Sequence, residues 1–201
     1  MGCGDSKDYS AEISEDDIAL LSIFAFDGKS ECKWGLMNLG HAFLSIENVS
    51  NDTLEILNYT LDTDKTVCIG TWSIKEHFGV WYNVESNYYS TYNKYDGRVS
   101  VTIGLTAEDL DTLCSFIANN DKWNPLNNCS KFALNAWNSV ASESERLLKP
   151  IIYTPGNIVN QLKQFDSYEI NRPMITENKF GYFNSSQFVS FGFNGDGYES
   201  V

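Results

Sequence analysis

The sequence predicts an α+β fold in which an antiparallel β-sheet from the first half packs against helices from the second half. Two observations support this prediction. The first half is a series of short apolar or alternating runs separated by turn residues, which is typical of strands. From Thr106 onwards, apolar residues instead recur at the spacing of amphipathic helices. With 201 residues, 42% of them hydrophobic, the chain is long and apolar enough to form one sizeable core.

The strand predictions follow the chain in order. We predict strands at residues 18–26, 40–47, 54–59, 66–72, 80–84 and 98–103. The turn-forming residues 48–52 predict that the strand at 40–47 forms a hairpin with the strand at 54–59. In that register His41 faces Asn58 to Thr60 across the ladder. Residues 75–79, which include His77, are predicted as a loop, and residues 86–96 as irregular.

Three helices are predicted after residue 105. Thr106 and Asp109 resemble a capping box, and Cys114 lies on the apolar stripe of the helix that follows, which indicates a core role. The second helix begins near Cys129. Residues 142–148 either continue it or form a short helix of their own. Thr154 followed by Pro155 predicts the start of the last helix, at 158–165.

The chain divides into one domain with two flanking segments. Residues 1–17 are a polar lead-in, residues 18–170 form the domain, and residues 171–201 are an aromatic and Gly-rich extension. The alternation of Phe191 and Phe193 fits a last strand, and the glycine and asparagine content fits a flexible tail equally well.

The composition excludes several classes of function. A net charge of −13 argues against nucleic-acid binding, and no apolar run approaches the ~20 residues that span a bilayer. The five cysteines are odd in number, with no CxxC pair and no metal-ligand spacing. We therefore expect no metal site, cofactor or disulfide, and a reducing, cytoplasmic setting.

The N-terminus matches a lipidation pattern. Met1-Gly2-Cys3 with Ser6 fits the N-myristoylation motif at Gly2, and a palmitoyl group on Cys3 would supply a second anchor. Such a chain would be held on the cytoplasmic face of a membrane. The alternative is a solvated terminus that matches the short motif by chance.

Cys129 is the candidate nucleophile. It is preceded by asparagines that suit a helix cap, and it shares a face with Phe132, Ala133 and Ala136. A cysteine at a helix N-terminus experiences the positive end of the helix dipole, which favours the thiolate. A structural core cysteine would fit the same pattern.

The candidate base is one of the two histidines in the chain. His41 begins a predicted strand, whereas His77 is in a predicted loop. A thiolate needs a nearby base, and the base needs a third group that orients it. Asn58 or Thr60 is expected in that role, and Asn58 suits it better because its amide oxygen accepts a hydrogen bond from an imidazole N–H.

The residues Gly40-His41-Ala42-Phe43-Leu44 and Asn128-Cys129-Ser130-Lys131-Phe132 resemble the circularly permuted papain-like group. This group includes permuted relatives of the NlpC cell-wall peptidases and the lecithin:retinol acyltransferase-like proteins. The resemblance implies a permuted papain-like domain with Cys129 as nucleophile and His41 as base. The group often places a second histidine on the next strand, where this chain has Asn58, Tyr59 or Thr60.

The resemblance and the residues together predict acyl transfer through a thioester. The leading expectation is a cysteine peptidase or amidase that acts on a peptide or peptidoglycan-like substrate. The alternatives are a lipid acyltransferase or phospholipase of the same fold, and a non-catalytic, membrane-tethered binding domain.

Overall fold

A computed structural model describes residues 14–28, 40–174, 176, 179–185 and 187–191. The predicted α+β class is confirmed, since eight strands form one antiparallel sheet and four helices accompany it. The sheet order is β10-β9-β6-β5-β2-β1-β7-β8, and β3 and β4 form a separate hairpin. The strands are β1 (Ala19–Phe26), β2 (His41–Asn48), β3 (Leu54–Ile56), β4 (Tyr59–Leu61), β5 (Thr66–Ile74), β6 (His77–Tyr82), β7 (Val99–Leu105), β8 (Glu169–Ile170), β9 (Gly181–Asn184) and β10 (Gln187–Ser190). The helices are α1 (Val84–Tyr92), α2 (Ala107–Asn119), α3 (Cys129–Val140) and α4 (Pro155–Leu162).

The centre of the sheet is buried on both faces. In β1, Leu21 and Ile23 belong to a core that includes buried residues of α2, α3 and α4. Phe24 and Phe26 point to the opposite face, where they pack with Tyr95. Because successive strand residues alternate between faces, a strand covered on both sides reads as the continuous apolar run seen in the sequence.

The predicted hairpin between residues 40–47 and 54–59 is wrong. Strand β2 pairs with β5, in the register Leu44↔Ile69, and with β1 on its other side. The run at 54–59 folds back on itself as the β3–β4 hairpin because Leu57 adopts a positive φ of 61° at the turn. This excursion gives Asn58 a position that the sequence register did not anticipate.

Two other segments differ from the sequence prediction. Residues 86–96, predicted as irregular, supply most of helix α1, so one helix comes from the first half of the chain. Residues 142–148 form no helix. The predicted helix starts are confirmed, because Thr106 and Asp109 form a capping box on α2, and Thr154 caps α4 with Pro155 in its first turn.

The C-terminal part of the described chain completes the sheet. Strand β9 pairs with β6, and β10 pairs with β9. Strand β8 pairs with β7 at the other edge, next to buried Arg98, whose guanidinium donates to the carbonyls of Asn171 and Arg172. None of the helices in the described ranges is long and apolar enough to cross a membrane. Gly2 and Cys3, the predicted lipidation sites, lie outside the described residues.

Candidate active site

Cys129 is the first residue of helix α3, as predicted, and is partly buried. Asn128 precedes it in an extended conformation, and its side chain accepts a hydrogen bond from the backbone N–H of Lys131 at 3.0 Å. The Asn128 amide also donates to the carbonyl of Tyr153 at 3.0 Å. The apolar face of α3 then packs into the core through Phe132 and other buried residues. The cap and the buried face together fix the thiol at the helix N-terminus.

His41 is the first residue of β2 and lies opposite Phe26 of β1. The residue before it, Gly40, has a φ of +75°, and a Cβ there would overlap the carbonyl oxygen of Phe26. The chain therefore enters β2 through a backbone conformation at Gly40 that only glycine accommodates. His41 is 6% exposed, and its ring packs against Trp72, with ring centroids 4.3 Å apart. The position of the His41 imidazole is thus fixed by the backbone at the start of β2 and by the Trp72 ring packed against it.

The structure brings His41 and Cys129 into direct interaction. Burial by itself would raise the pKa of Cys129, but the charge and hydrogen bond of His41 lower it below its ordinary value of 9.0. The backbone of Ala42 acts in the same direction. Burial has the opposite effect on His41, whose pKa it would lower. Cys129 and Glu85 outweigh burial and raise the pKa of His41 above 6.5. Both shifts favour a thiolate beside an imidazolium.

Glu85 is the carboxylate partner of His41. Its Oε1 lies 2.8 Å from His41 Nε2 and accepts a second hydrogen bond from Trp72 Nε1 at 2.7 Å. Glu85 is fully buried, and its Oε2 has no hydrogen-bond partner among the described residues. It lies in the first turn of α1, where the helix dipole stabilises a negative charge. Because Nε2 faces Glu85, Nδ1 is the ring nitrogen left for Cys129.

Two features hold Glu85 at this position. Gly70 of β5 leaves room for it, because a Cβ there would overlap Glu85 Oε1 and lie 3.3 Å from His41 Nε2. Asn83 fixes the start of α1 in a left-handed conformation, with φ 62°. Its side chain accepts from the backbone N–H of Cys68 at 2.9 Å and donates to the carbonyl of Lys179. The carboxylate is thus positioned by the sheet and by the helix start.

Asn58, the predicted orienting residue, is not the partner of His41. Its side-chain oxygen accepts a hydrogen bond from the Tyr82 hydroxyl at 3.2 Å. Thr60 donates instead to Glu55. The expected position failed because it depended on a hairpin that does not form. The sequence did not predict Glu85 as the partner because residues 86–96 lack a clear apolar stripe, so no helix was predicted there. The available signal was Asn83 two residues before Glu85, since an asparagine followed by an acidic residue is typical of a helix start.

The second histidine forms a separate pair with a carboxylate. His77 is the first residue of β6, not part of a loop, and its Nε2 lies 2.7 Å from Asp121 Oδ1. The same oxygen accepts from the backbone N–H of Val80 at 2.7 Å, and the His77 ring stacks on Tyr182. None of the interactions found for Cys129 involves His77. This pair offers a natural comparison for the His41–Glu85 pair.

The other described cysteines lack the setting of Cys129. Cys68 is fully buried, and burial and the nearby Glu85 charge raise its pKa well above 9.0. Burial also raises the pKa of Cys114, which packs against the main core as predicted from its position on the α2 stripe. All three described cysteines are free thiols. Within the described ranges no group of three His, Cys, Asp or Glu side chains is arranged to hold a metal ion.

No protein-family model, no curated protein and no solved structure matches this chain. The resemblance to the permuted papain-like group therefore stays a prediction from two short motifs.

Proposed function

We propose that this protein is a thiol-dependent acyl-transfer enzyme, with Cys129 as nucleophile, His41 as base and Glu85 as the residue that orients the base. The observation that carries the proposal is that His41 lies between two groups: Glu85, 2.8 Å from its Nε2, and Cys129, with which it interacts electrostatically. A nucleophile, a base within reach and a third group on the far ring nitrogen are the arrangement that covalent catalysis requires. The thiolate–imidazolium state is the reactive one.

The proposed reaction has two stages. The Cys129 thiolate attacks the substrate carbonyl carbon, and His41 Nδ1 gives its proton to the leaving amine as the carbon–nitrogen bond breaks. This leaves a thioester on Cys129 and a neutral His41. His41 then takes a proton from water as the water oxygen attacks the thioester, which releases a carboxylic acid and restores the thiolate and imidazolium.

The start of helix α3 supplies donors for the oxyanion. The first N–H groups of a helix have no partner within it. Asn128 accepts from the N–H of Lys131, so the N–H groups of Cys129 and Ser130 are available next to the sulfur. Donors of this kind stabilise the negative oxygen of the tetrahedral intermediate. The same residue therefore provides the nucleophile and one of the oxyanion donors.

Hydrolysis of a peptide or amide is the reaction we favour, because it needs only water as the second substrate. A lipid acyltransferase or phospholipase would use the same thioester with a different donor or acceptor. In a non-catalytic binding domain Cys129 would form no acyl-enzyme with any of these donors.

Trapping of the acyl-enzyme separates these functions. Purified protein is incubated with a panel of peptide amides and esters, N-acylated glycan peptides and phospholipids, quenched in acid and examined by mass spectrometry. The proposal expects an acyl adduct on Cys129 with a peptide or amide donor, lost in Cys129→Ala and retained in Cys114→Ala. Adducts from phospholipid alone would assign the lipid reaction. Without an adduct, and with Cys129 reacting with iodoacetamide no faster than Cys114, the catalytic proposal is wrong.

A further inference from the structure

Three aliphatic side chains stand out from the surface near the start of helix α3. Leu126 is 85% exposed, Ile151 102% and Ile152 69%. They belong to the two loops that flank α3 in the chain, and we call them the aliphatic patch. Single exposed apolar residues need no explanation, but several highly exposed ones grouped beside a candidate site indicate an interaction surface.

Both loops are attached to the first turn of α3. Lys131 Nζ donates to the carbonyl of Leu126 at 3.2 Å and lies 5.8 Å from the centre of the Tyr153 ring. Asn128 donates to the carbonyl of Tyr153. The residues on either side of Cys129 in the helix start are thus bonded to the two loops. Whatever binds the aliphatic patch is brought close to the candidate nucleophile.

The second loop is built so that its apolar side chains face outwards. Gln161 of α4 binds both backbone groups of Leu148: its Oε1 accepts from the N–H at 2.6 Å, and its Nε2 donates to the carbonyl at 3.1 Å. Asn157 donates to the carbonyl of Ile152 at 2.8 Å. With these backbone groups satisfied by the protein, the exposed aliphatic side chains are the part of the loop presented to the surroundings.

The stretch of chain from residue 122 to residue 165 has a net positive charge, opposite to that of the rest of the chain. The whole chain has 27 acidic and 14 basic residues. Between residues 122 and 165 the acidic residues are Glu143 and Glu145 alone. The basic residues of the same stretch are Lys122, Lys131, Arg146, Lys149 and Lys163. Lysines therefore accompany the aliphatic side chains on an otherwise acidic molecule, which favours a negatively charged partner.

We propose that the aliphatic patch and its lysines dock onto an anionic lipid bilayer. Aliphatic side chains at loop tips enter the boundary between headgroups and acyl chains, and lysines beside them bind anionic headgroups. A second copy of the chain fits less well, because a two-fold interface centred on the patch would bring Lys131 and Lys149 of both copies together. The docked protein presents the N-terminal end of α3, with Cys129, to the bilayer surface. Docking does not require the thiol itself.

Vesicle co-sedimentation of the unacylated 201-residue chain tests the proposal. The protein is mixed with vesicles of phosphatidylcholine alone or with 30 mol% phosphatidylglycerol, an amount on the order of that in acidic membranes. We expect binding to the anionic vesicles that weakens as salt is raised. The double variant Ile151→Glu/Ile152→Glu should lose roughly tenfold or more in affinity for these vesicles. The double variant Ile151→Ser/Ile152→Ser, which adds no charge, should also lose affinity.

Matched variants separate docking at this patch from general stickiness and from catalysis. Ile170→Glu changes an isoleucine that is 56% exposed on the edge strand β8, and it should bind vesicles like the unmodified chain. Cys129→Ala should also bind normally, so docking can hold even if the acyl-transfer proposal fails. Failure to bind anionic vesicles at low salt, equal binding to uncharged vesicles, or an equal loss in Ile170→Glu would overturn the proposal. So would a patch-dependent dimer in sedimentation velocity without vesicle binding.

Discussion

The buried carboxylate of Glu85 lies 2.8 Å from Nε2 of His41, and the two residues are 44 positions apart in the chain. The contact joins the first turn of α1 to the first residue of β2. It leaves the other ring nitrogen to Cys129, which comes from a third element. We therefore expect the reactivity of the thiol to depend on side chains from three separate parts of the fold.

Replacement of the carboxylate tests this dependence. Glu85→Gln keeps the shape but removes the charge, so the imidazolium loses a charge-assisted hydrogen bond worth about 1.5–3 kcal/mol. We expect the iodoacetamide alkylation rate of Cys129 at pH 6.5 to fall roughly tenfold. The matched control is Asp121→Asn, which makes the same change at the His77 pair and should leave that rate unaltered. Equal effects from both variants would show that Glu85 has no special link to Cys129.

Gly70 allows the hydrogen bond between Glu85 and His41 because it has no side chain. The added Cβ of Gly70→Ala would overlap Glu85 Oε1, so the carboxylate must move away from His41. We expect slower Cys129 alkylation, measured by mass spectrometry on folded protein. Gly79→Ala is the counterpart, because its Cβ would overlap Asp121 Oδ1 and His77 Nε2. If Gly79→Ala slows the alkylation of Cys129 as much as Gly70→Ala does, the substitutions act through a general effect on the sheet.

The pH profile of alkylation reports the ion pair. Only the thiolate reacts, and the pKa of Cys129 is lowered from 9.0, so the rate should reach half its maximum below pH 9.0. In His41→Ala the positive charge is gone while burial remains, so the midpoint should move to higher pH. Rates measured from pH 5 to pH 10, with Cys114 as the internal reference, would reveal the shift. An unchanged midpoint in His41→Ala would separate the two residues functionally.

The helix cap beside the nucleophile links stability to reactivity. Asn128→Ala removes the acceptor for the Lys131 N–H and should cost about 1 kcal/mol of unfolding free energy. It should also slow the alkylation of Cys129, because the start of α3 is no longer fixed to Tyr153. Thr106→Ala removes the corresponding cap of α2 at a similar cost, measurable by urea denaturation. Thr106→Ala should leave the alkylation rate of Cys129 unchanged. If that variant also slows the alkylation of Cys129, stability alone controls the rate.

Local patterns were sufficient for much of the fold. The strands at 18–26, 40–47 and 66–72 and the caps at Thr106, Asn128 and Thr154 follow from apolar runs and side-chain oxygens that act within a few residues. Those patterns also predicted that Cys129 begins a helix and that His41 begins a strand. Such features depend on neighbours in the chain, so the sequence contains the information directly.

Pairing between distant segments was decided by the tertiary structure. The prediction of Asn58 depended on a hairpin between adjacent strands, but β2 pairs with β1 and β5 instead, and the intervening run folds on itself at Leu57. Glu85 became the partner of His41 because α1 packs its first turn against Gly70, where the missing Cβ leaves room for a carboxylate. The sequence by itself determined the nucleophile and the base as candidates. Only the packing of α1 on the sheet determined which group orients them, since that contact has no signature in local spacing.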